Sequence, residues 1–176
     1  MKKLSLLVFA FCALGSIGFG QYTLTVEASL AVNPSLGTTY RFYVNMENES
    51  DLLTSLRGYP LIALEVNASQ GVYNSEYNAT WHAAGLNPLF FGTVPELASD
   101  SYGTIGLEGP VSVSGIEGAL DPTLAEGASS PISSFFLSQG STSLYSIGDG
   151  WAVPPFAGNA YPQNEDLRIL IMQVTT

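Results

Sequence analysis

The sequence predicts an all-β protein, a β-sandwich of jelly-roll-like or Greek-key type with long Gly/Ser/Pro-rich loops and at most short helical turns. Three observations predict it. Two runs near the start alternate apolar and polar residues with period two, the signature of half-buried strands. Eighteen glycines and ten prolines punctuate the chain and disfavour a helical bundle. Beyond residue 20, no window of eleven or more residues sustains a helical period.

The first twenty residues stand apart. Met1-Lys2-Lys3 is a positive start, Leu4 to Ile17 is mostly apolar, and Gly18 and Gly20 place small residues before Gln21. That is the layout of a secretory signal peptide. Residues 1–20 are therefore read as a leader and 21–176 as a single domain. The apolar stretch falls short of the roughly 20 residues a bilayer-spanning helix needs, which argues against a membrane anchor. Cys12 follows the bulky Phe11 and is read as part of the leader. Cleavage after Gly20 leaves three arginines against fifteen carboxylates, a net charge of −12, with no lysine and no cysteine. Export permits disulfides, yet none can form, so stability has to come from a packed core.

Tyr22 to Leu30 puts Tyr22, Leu24, Val26, Ala28 and Leu30 on one face of a strand. Asn33-Pro34-Ser35-Leu36-Gly37 is turn chemistry. Thr39 to Met46 alternates again, with Tyr40, Phe42, Val44 and Met46 inward, and the two runs are expected to pair antiparallel. Asp51 to Leu56 is read as a helical turn capped by Ser50 or Asp51. Leu61 to Val66 is a third apolar run, and Ser101 to Leu107 a weaker strand between glycines. Short helical turns are expected at Pro95 to Ala98 and at Pro122 to Glu126. Ser143 to Ile147 and Trp151 to Val153 flank Gly148-Asp149-Gly150, which reads as a hairpin or a bulged turn. Leu167 to Val174 is apolar on both faces, as in a central strand buried on both sides. It runs to Thr176 without a closing turn, so the domain ends on a terminal strand or the chain is a piece of something longer.

Composition excludes several functions. Fifteen acidic residues against five basic ones do not bind nucleic acid, which needs a basic patch. Nine tyrosines, nine phenylalanines and two tryptophans supply apolar surface that a disordered chain lacks. The single histidine, His82, has no Gly-x-Ser-x-Gly elbow or mature cysteine to serve, and its expected role is polar surface or packing. Without lysine there is neither a Schiff base nor a P-loop, and one histidine without cysteine does not build a usual zinc site. No organic cofactor is expected, and the reading is non-enzymatic.

Two candidate sites remain. Glu47, Glu49 and Asp51 sit two apart after the second strand and could offer hard oxygen ligands to calcium; the alternative is a solvated acidic loop. Trp81, Trp151, Tyr77 and Tyr145 lie in Gly/Asn/Ser-rich context, where exposed rings would stack on a sugar; the alternative is that they cover the ends of the core. Asn48-Glu-Ser50, Asn67-Ala-Ser69 and Asn78-Ala-Thr80 match the N-glycosylation pattern and read as chance matches in a bacterial chain.

Thr38-Thr-Tyr-Arg-Phe-Tyr-Val-Asn-Met46, Gly85-Leu-Asn-Pro-Leu-Phe-Phe91, Thr104-Ile-Gly-Leu-Glu-Gly-Pro110 and Arg168-Ile-Leu-Ile-Met-Gln-Val-Thr-Thr176 together resemble an uncharacterised extracellular module of secreted and surface proteins in marine Bacteroidetes-type bacteria. The resemblance implies a surface protein of the kind that carries a C-terminal sorting domain for type IX secretion. It also implies further strands beyond the segment similar to Leu170 to Thr176. It brings no activity and no site residues. The expected function is a secreted module with a cell-surface structural or adhesive role, whose partner is an extracellular protein or glycan. A carbohydrate-binding module is the first alternative and a fragment of a secreted glycoside hydrolase the second. No transmembrane segment is expected after the leader is removed.

Overall fold

The two alternating runs make the first hairpin. A computed structural model describes residues 22–127 and 131–176; the expected leader, with Cys12, lies outside the described residues. Strands β1 (Thr23–Leu30) and β2 (Thr38–Asn45) pair antiparallel along their whole length, Thr23 opposite Asn45 and Leu30 opposite Thr38. In the connection, the Asn33 side chain accepts the Ser35 N–H and Pro34 sits in the first position of a 3₁₀ turn, its φ already set. Gly37 ends the turn at φ +96°, and a Cβ there would collide with the Thr176 carbonyl oxygen.

The later strands are short: β3 (Ser55–Arg57), β4 (Leu64–Asn67), β5 (Tyr102–Gly103), β6 (Thr123–Ala125), β7 (Ser143–Ser146) and β8 (Gly150–Ala152). The last, β9 (Arg168–Thr175), is again eight residues long. A six-residue helix, α1 (Ile132–Leu137), precedes β7, and several connections contain 3₁₀ turns. Among the described residues three antiparallel sheets result, with strand orders β1-β2-β9-β5, β3-β8-β6 and β4-β7. The fold is all-β.

β9 lies between β2 and β5 and is buried almost throughout, as its two-faced apolar pattern predicts. On one face of its sheet Phe42, Val44, Ile169, Met172 and Val174 join the main core, with Leu144, Trp151, Ile132 and Phe136 from the smaller sheets and α1. On the other face Tyr43 and Leu170 pack with Leu86, Leu97, Tyr102 and Leu107, supplied by the turn-rich segment 83–119. Polar pairs also cross this second face. The Thr39 and Thr175 hydroxyls bond at 2.8 Å, and Arg41 Nε donates to Gln173 Oε1 at 2.9 Å.

Several sequence expectations need correction. The register between β2 and β9 slips, so that Phe42 faces Met172 and Tyr43 faces Leu170, with Ile171 unopposed. This bulge puts Ile171 and Met172 into the same core and breaks strict alternation along β9. Asp51 to Leu56 is not helical, because Asp51 caps the preceding turn instead and Ser55 begins β3. Pro122 to Glu126 contains β6, not a helical turn. β7 and β8 do not form a hairpin: β7 pairs with β4, and β8 with β3 and β6. Gly150 explains part of this, since its missing Cβ lets β8 lie against the Leu56 carbonyl. The expected third strand starts only at Leu64. Leu61 instead stands 97% exposed at the tip of a tight turn closed by two Tyr59–Ile62 backbone bonds. The expected strand from Ser101 shrinks to Tyr102 and Gly103.

Candidate functional site

The four aromatic residues separate. Trp151 is only 1% exposed, so the expectation that it stacks on a sugar is wrong. It sits at the centre of β8, and its indole N–H donates to the Thr104 carbonyl at 2.9 Å. Trp81 is partly buried against it, ring centres 5.9 Å apart. The two tryptophans do cluster, but inside the core. Tyr77 and Tyr145 are exposed. Tyr145 stands opposite Glu65 across the β4–β7 pair, and Asn67 Nδ2 donates to Glu65 Oε1 at 2.7 Å.

The acidic trio is divided in the same way. Glu47 and Glu49 are exposed, whereas the Asp51 carboxylate accepts the N–H groups of Glu47 and Asn48, both at 2.9 Å. One of its oxygens is therefore committed to the turn. Tyr22, at the start of β1, lies against the same carboxylate. No group of three metal-ligating side chains gathers among the described residues.

His82 packs edge-on against Trp81, and its Nδ1 accepts the Ala84 N–H at 3.3 Å. Burial lowers its pKa, while Asp121, 3.8 Å away, pulls the other way. Asp100 is the buried carboxylate that sequence reasoning missed. It accepts the Ser75 N–H at 2.6 Å and Asn78 Nδ2 at 2.7 Å, tying segment 75–78 to segment 98–101. Burial raises its pKa to about 7, against the pull of these donors and the Ser101 N–H. Asn78 uses its remaining polar capacity on His82 and Thr80 and is buried. Its glycosylation-like pattern is thus structural, whereas Asn48 and Asn67 are exposed.

The apolar face of β1 lies open. Tyr22, Leu24, Val26, Ala28 and Leu30 share a face of the hairpin, as their spacing predicts. That face is not half-buried: Leu24 is 57% and Leu30 75% exposed. Val26 and Tyr22 are exposed as well. The register explains why the face is apolar, since Leu24, Val26 and Ala28 oppose Val44, Phe42 and Tyr40 of β2. β2's part of the face reaches the main core, and β1's part overhangs it. Beside β2, on the side away from β1, runs a groove of about 420 Å³, floored by Tyr40, Phe42 and Val174 and walled by Val66 to Gln70. A second groove of about 570 Å³ runs along β1, of mixed lining, with Glu27, Ser29, Arg41 and Gln173 beside Ala28, Leu30 and Val32.

Comparison with family models, curated proteins and solved structures returned no match for this chain. Among the described residues, no helix is long and apolar enough to cross a membrane.

Proposed function

We propose that the chain is a secreted, non-enzymatic β-sandwich module that works by contact, in a structural or adhesive role at the cell surface. The observation that carries this reading is the uncovered edge strand β1, with Leu24, Val26 and Leu30 exposed side by side. An exposed apolar stripe on a sheet edge is a liability that soluble proteins normally remove, and its presence points to an interaction site. The sandwich reading is supported by the main core, where β2 and β9 pack against strands of the two smaller sheets.

The test uses beads coated with the purified secreted protein and mixed with the cells that export it. Capture is expected, and Ala28→Pro should abolish it while leaving the melting curve nearly unchanged. Capture unaffected by Ala28→Pro would remove β1 from the account. Turnover of a glycan, lost on replacing a single carboxylate, would favour the hydrolase reading.

Sugar binding is the second reading, and it rests on Tyr145. This ring is exposed beside the Glu65–Asn67 pair, an aromatic platform next to hydrogen-bonding groups. A glycan array separates the two: a saccharide signal that Tyr145→Ala removes belongs to this reading.

A further inference from the structure

β1 exposes backbone as well as side chains. The Ala31 N–H donates to the Gly37 carbonyl at 3.1 Å, which sets the parity of the hairpin. Odd-numbered residues of β1 bond to β2, and even-numbered residues turn their N–H and C=O groups away from it. Val32 keeps the same parity, its N–H reaching outward to the Ser99 hydroxyl at 2.9 Å. Leu24, Val26, Ala28 and Leu30 therefore carry both the uncovered apolar side chains and the outward backbone groups. Among the described residues no other strand pairs with this edge.

The edge also lacks the usual protection. β1 contains no proline and no lysine, and its register with β2 runs without a bulge. Its one charged residue, Glu27, points to the opposite face and is paired with Arg168.

We propose that this edge pairs with β1 of a second copy, antiparallel about a two-fold axis at Val26, joining two four-stranded sheets into one of eight strands. The inference rests on the contact reading above and names its partner. Parity restricts the choice, because even-numbered residues must bond to even-numbered residues. An axis at Glu27 would set two Glu27 side chains directly opposite each other, which is unfavourable. An axis at Val26 sets Glu27 opposite Thr25, Thr23 opposite Ser29, and Leu24 opposite Ala28. Val26 then meets its own copy, Tyr22 meets Leu30, and no like charges face across the strands. Such an interface is isologous and closes on itself. The expected mature chain carries a net charge of −12, so two copies repel at long range and the dimer tightens as salt rises. A basic strand from a different protein would show the reverse.

Sedimentation of the secreted protein over a wide concentration range tests this. A shift from monomer to dimer is expected, reached at lower concentration in high salt than in low. Val26→Pro removes an outward N–H and no β1–β2 bond, so it should remain folded and stay monomeric. In a Cys12→Ser background, Val26→Cys should oxidise to a covalent dimer, since facing residues lie about 5.5 Å apart between Cα atoms, within disulfide reach. Leu24→Cys should not, because the two copies of residue 24 are far from each other in this register. A monomer at every concentration, or equal cross-linking of the two cysteine variants, overturns the proposal. If the protein stays monomeric while Ala28→Pro still abolishes bead capture, the second copy is wrong and the contact reading stands. If it dimerises but beads are not captured, the contact reading fails and the dimer stands.

Discussion

The Arg168 guanidinium lies 4.2 Å from the centre of the Tyr43 ring and reaches past it to Glu27. One side chain on β9 thus crosses β2 and holds the edge strand β1, with Asp166 on its other side. Stacking on an aromatic face needs the planar guanidinium, which lysine does not provide.

Arg168→Ala is expected to cost about 1–2 kcal/mol, combining a partly exposed cation–π contact with screened ion pairs. That corresponds to a fall in Tm of several degrees for a domain of this size. Hydrogen exchange is the sharper readout: the Thr25 and Glu27 amides should lose protection while those of β9 keep it. Equal loss in both strands would mean that the residue stabilises the domain generally and does not clamp β1.

Asp100 makes stability depend on pH. Its pKa rises from 3.8 to about 7 in the fold. Between those values the folded chain keeps a proton that the unfolded chain has lost. Stability is therefore greatest at the acid end, falls as pH rises through the window, and levels off above about 7. The full effect is about 4 kcal/mol at 1.36 kcal/mol per pKa unit. Urea midpoints at a series of pH values should fall less steeply for Asp100→Asn than for the native chain. Parallel slopes would place the titration elsewhere.

Trp151 tests the core. Trp151→Ala should cost about 3–5 kcal/mol through the cavity it leaves. Trp151→Phe keeps much of the volume but strands the buried Thr104 carbonyl, at about 1–3 kcal/mol. Chemical denaturation should rank the three proteins in that order, and a phenylalanine variant as stable as the parent would show that the hydrogen bond adds nothing.

Calcium is expected to matter little at the start of β1. One Asp51 oxygen is already held by two backbone N–H groups, so a cation would have to compete with the turn. Melting with calcium and with EDTA should agree closely, and a rise of many degrees with calcium would restore the metal site through mass action. Asp51→Ala should cost about 1 kcal/mol with or without calcium, as lost capping does elsewhere.

Removing β9 removes the middle of the largest sheet. Deletion of Leu167 to Thr176 should abolish cooperative unfolding, since burial of its side chains at about 1.5–3 kcal/mol each rivals a domain's whole net stability. Ile169→Asp should be severe, because it puts an unpaired charge into the main core. A cooperative melt of the deleted chain near the parent temperature would make the strand peripheral.

Periodicity read the strands better than their surroundings. The β1–β2 hairpin and its apolar face follow directly from alternation, and the position of β9 follows from apolar residues on both its faces. Alternation says which side chains share a face; it does not say whether anything covers that face, and β1 shows the difference. The bulge at Ile171 was hidden because an inserted residue in a wholly apolar strand leaves no mark on the pattern. Leu61 misled because an apolar residue at a turn tip reads like the start of a strand. Trp151 misled for the opposite reason: its glycine-rich neighbours suggested surface, whereas Gly150 is there to let β8 come close to β3. Asp100 gave no signal, since a buried carboxylate is recognised only by the donors that the fold brings to it.

Arg41 and Gln173, bonded across neighbouring strands, are 132 positions apart in the chain. The order of events during folding follows from that separation. Hairpins such as β1–β2 close in about 1–10 μs, because their contacts are local. β9 has to be brought in from the far end of a long loop, and sheets dominated by such distant pairings fold in milliseconds to seconds. For that whole interval the inner side of the hairpin has no cover on either strand, and two nascent chains can meet there before either is complete.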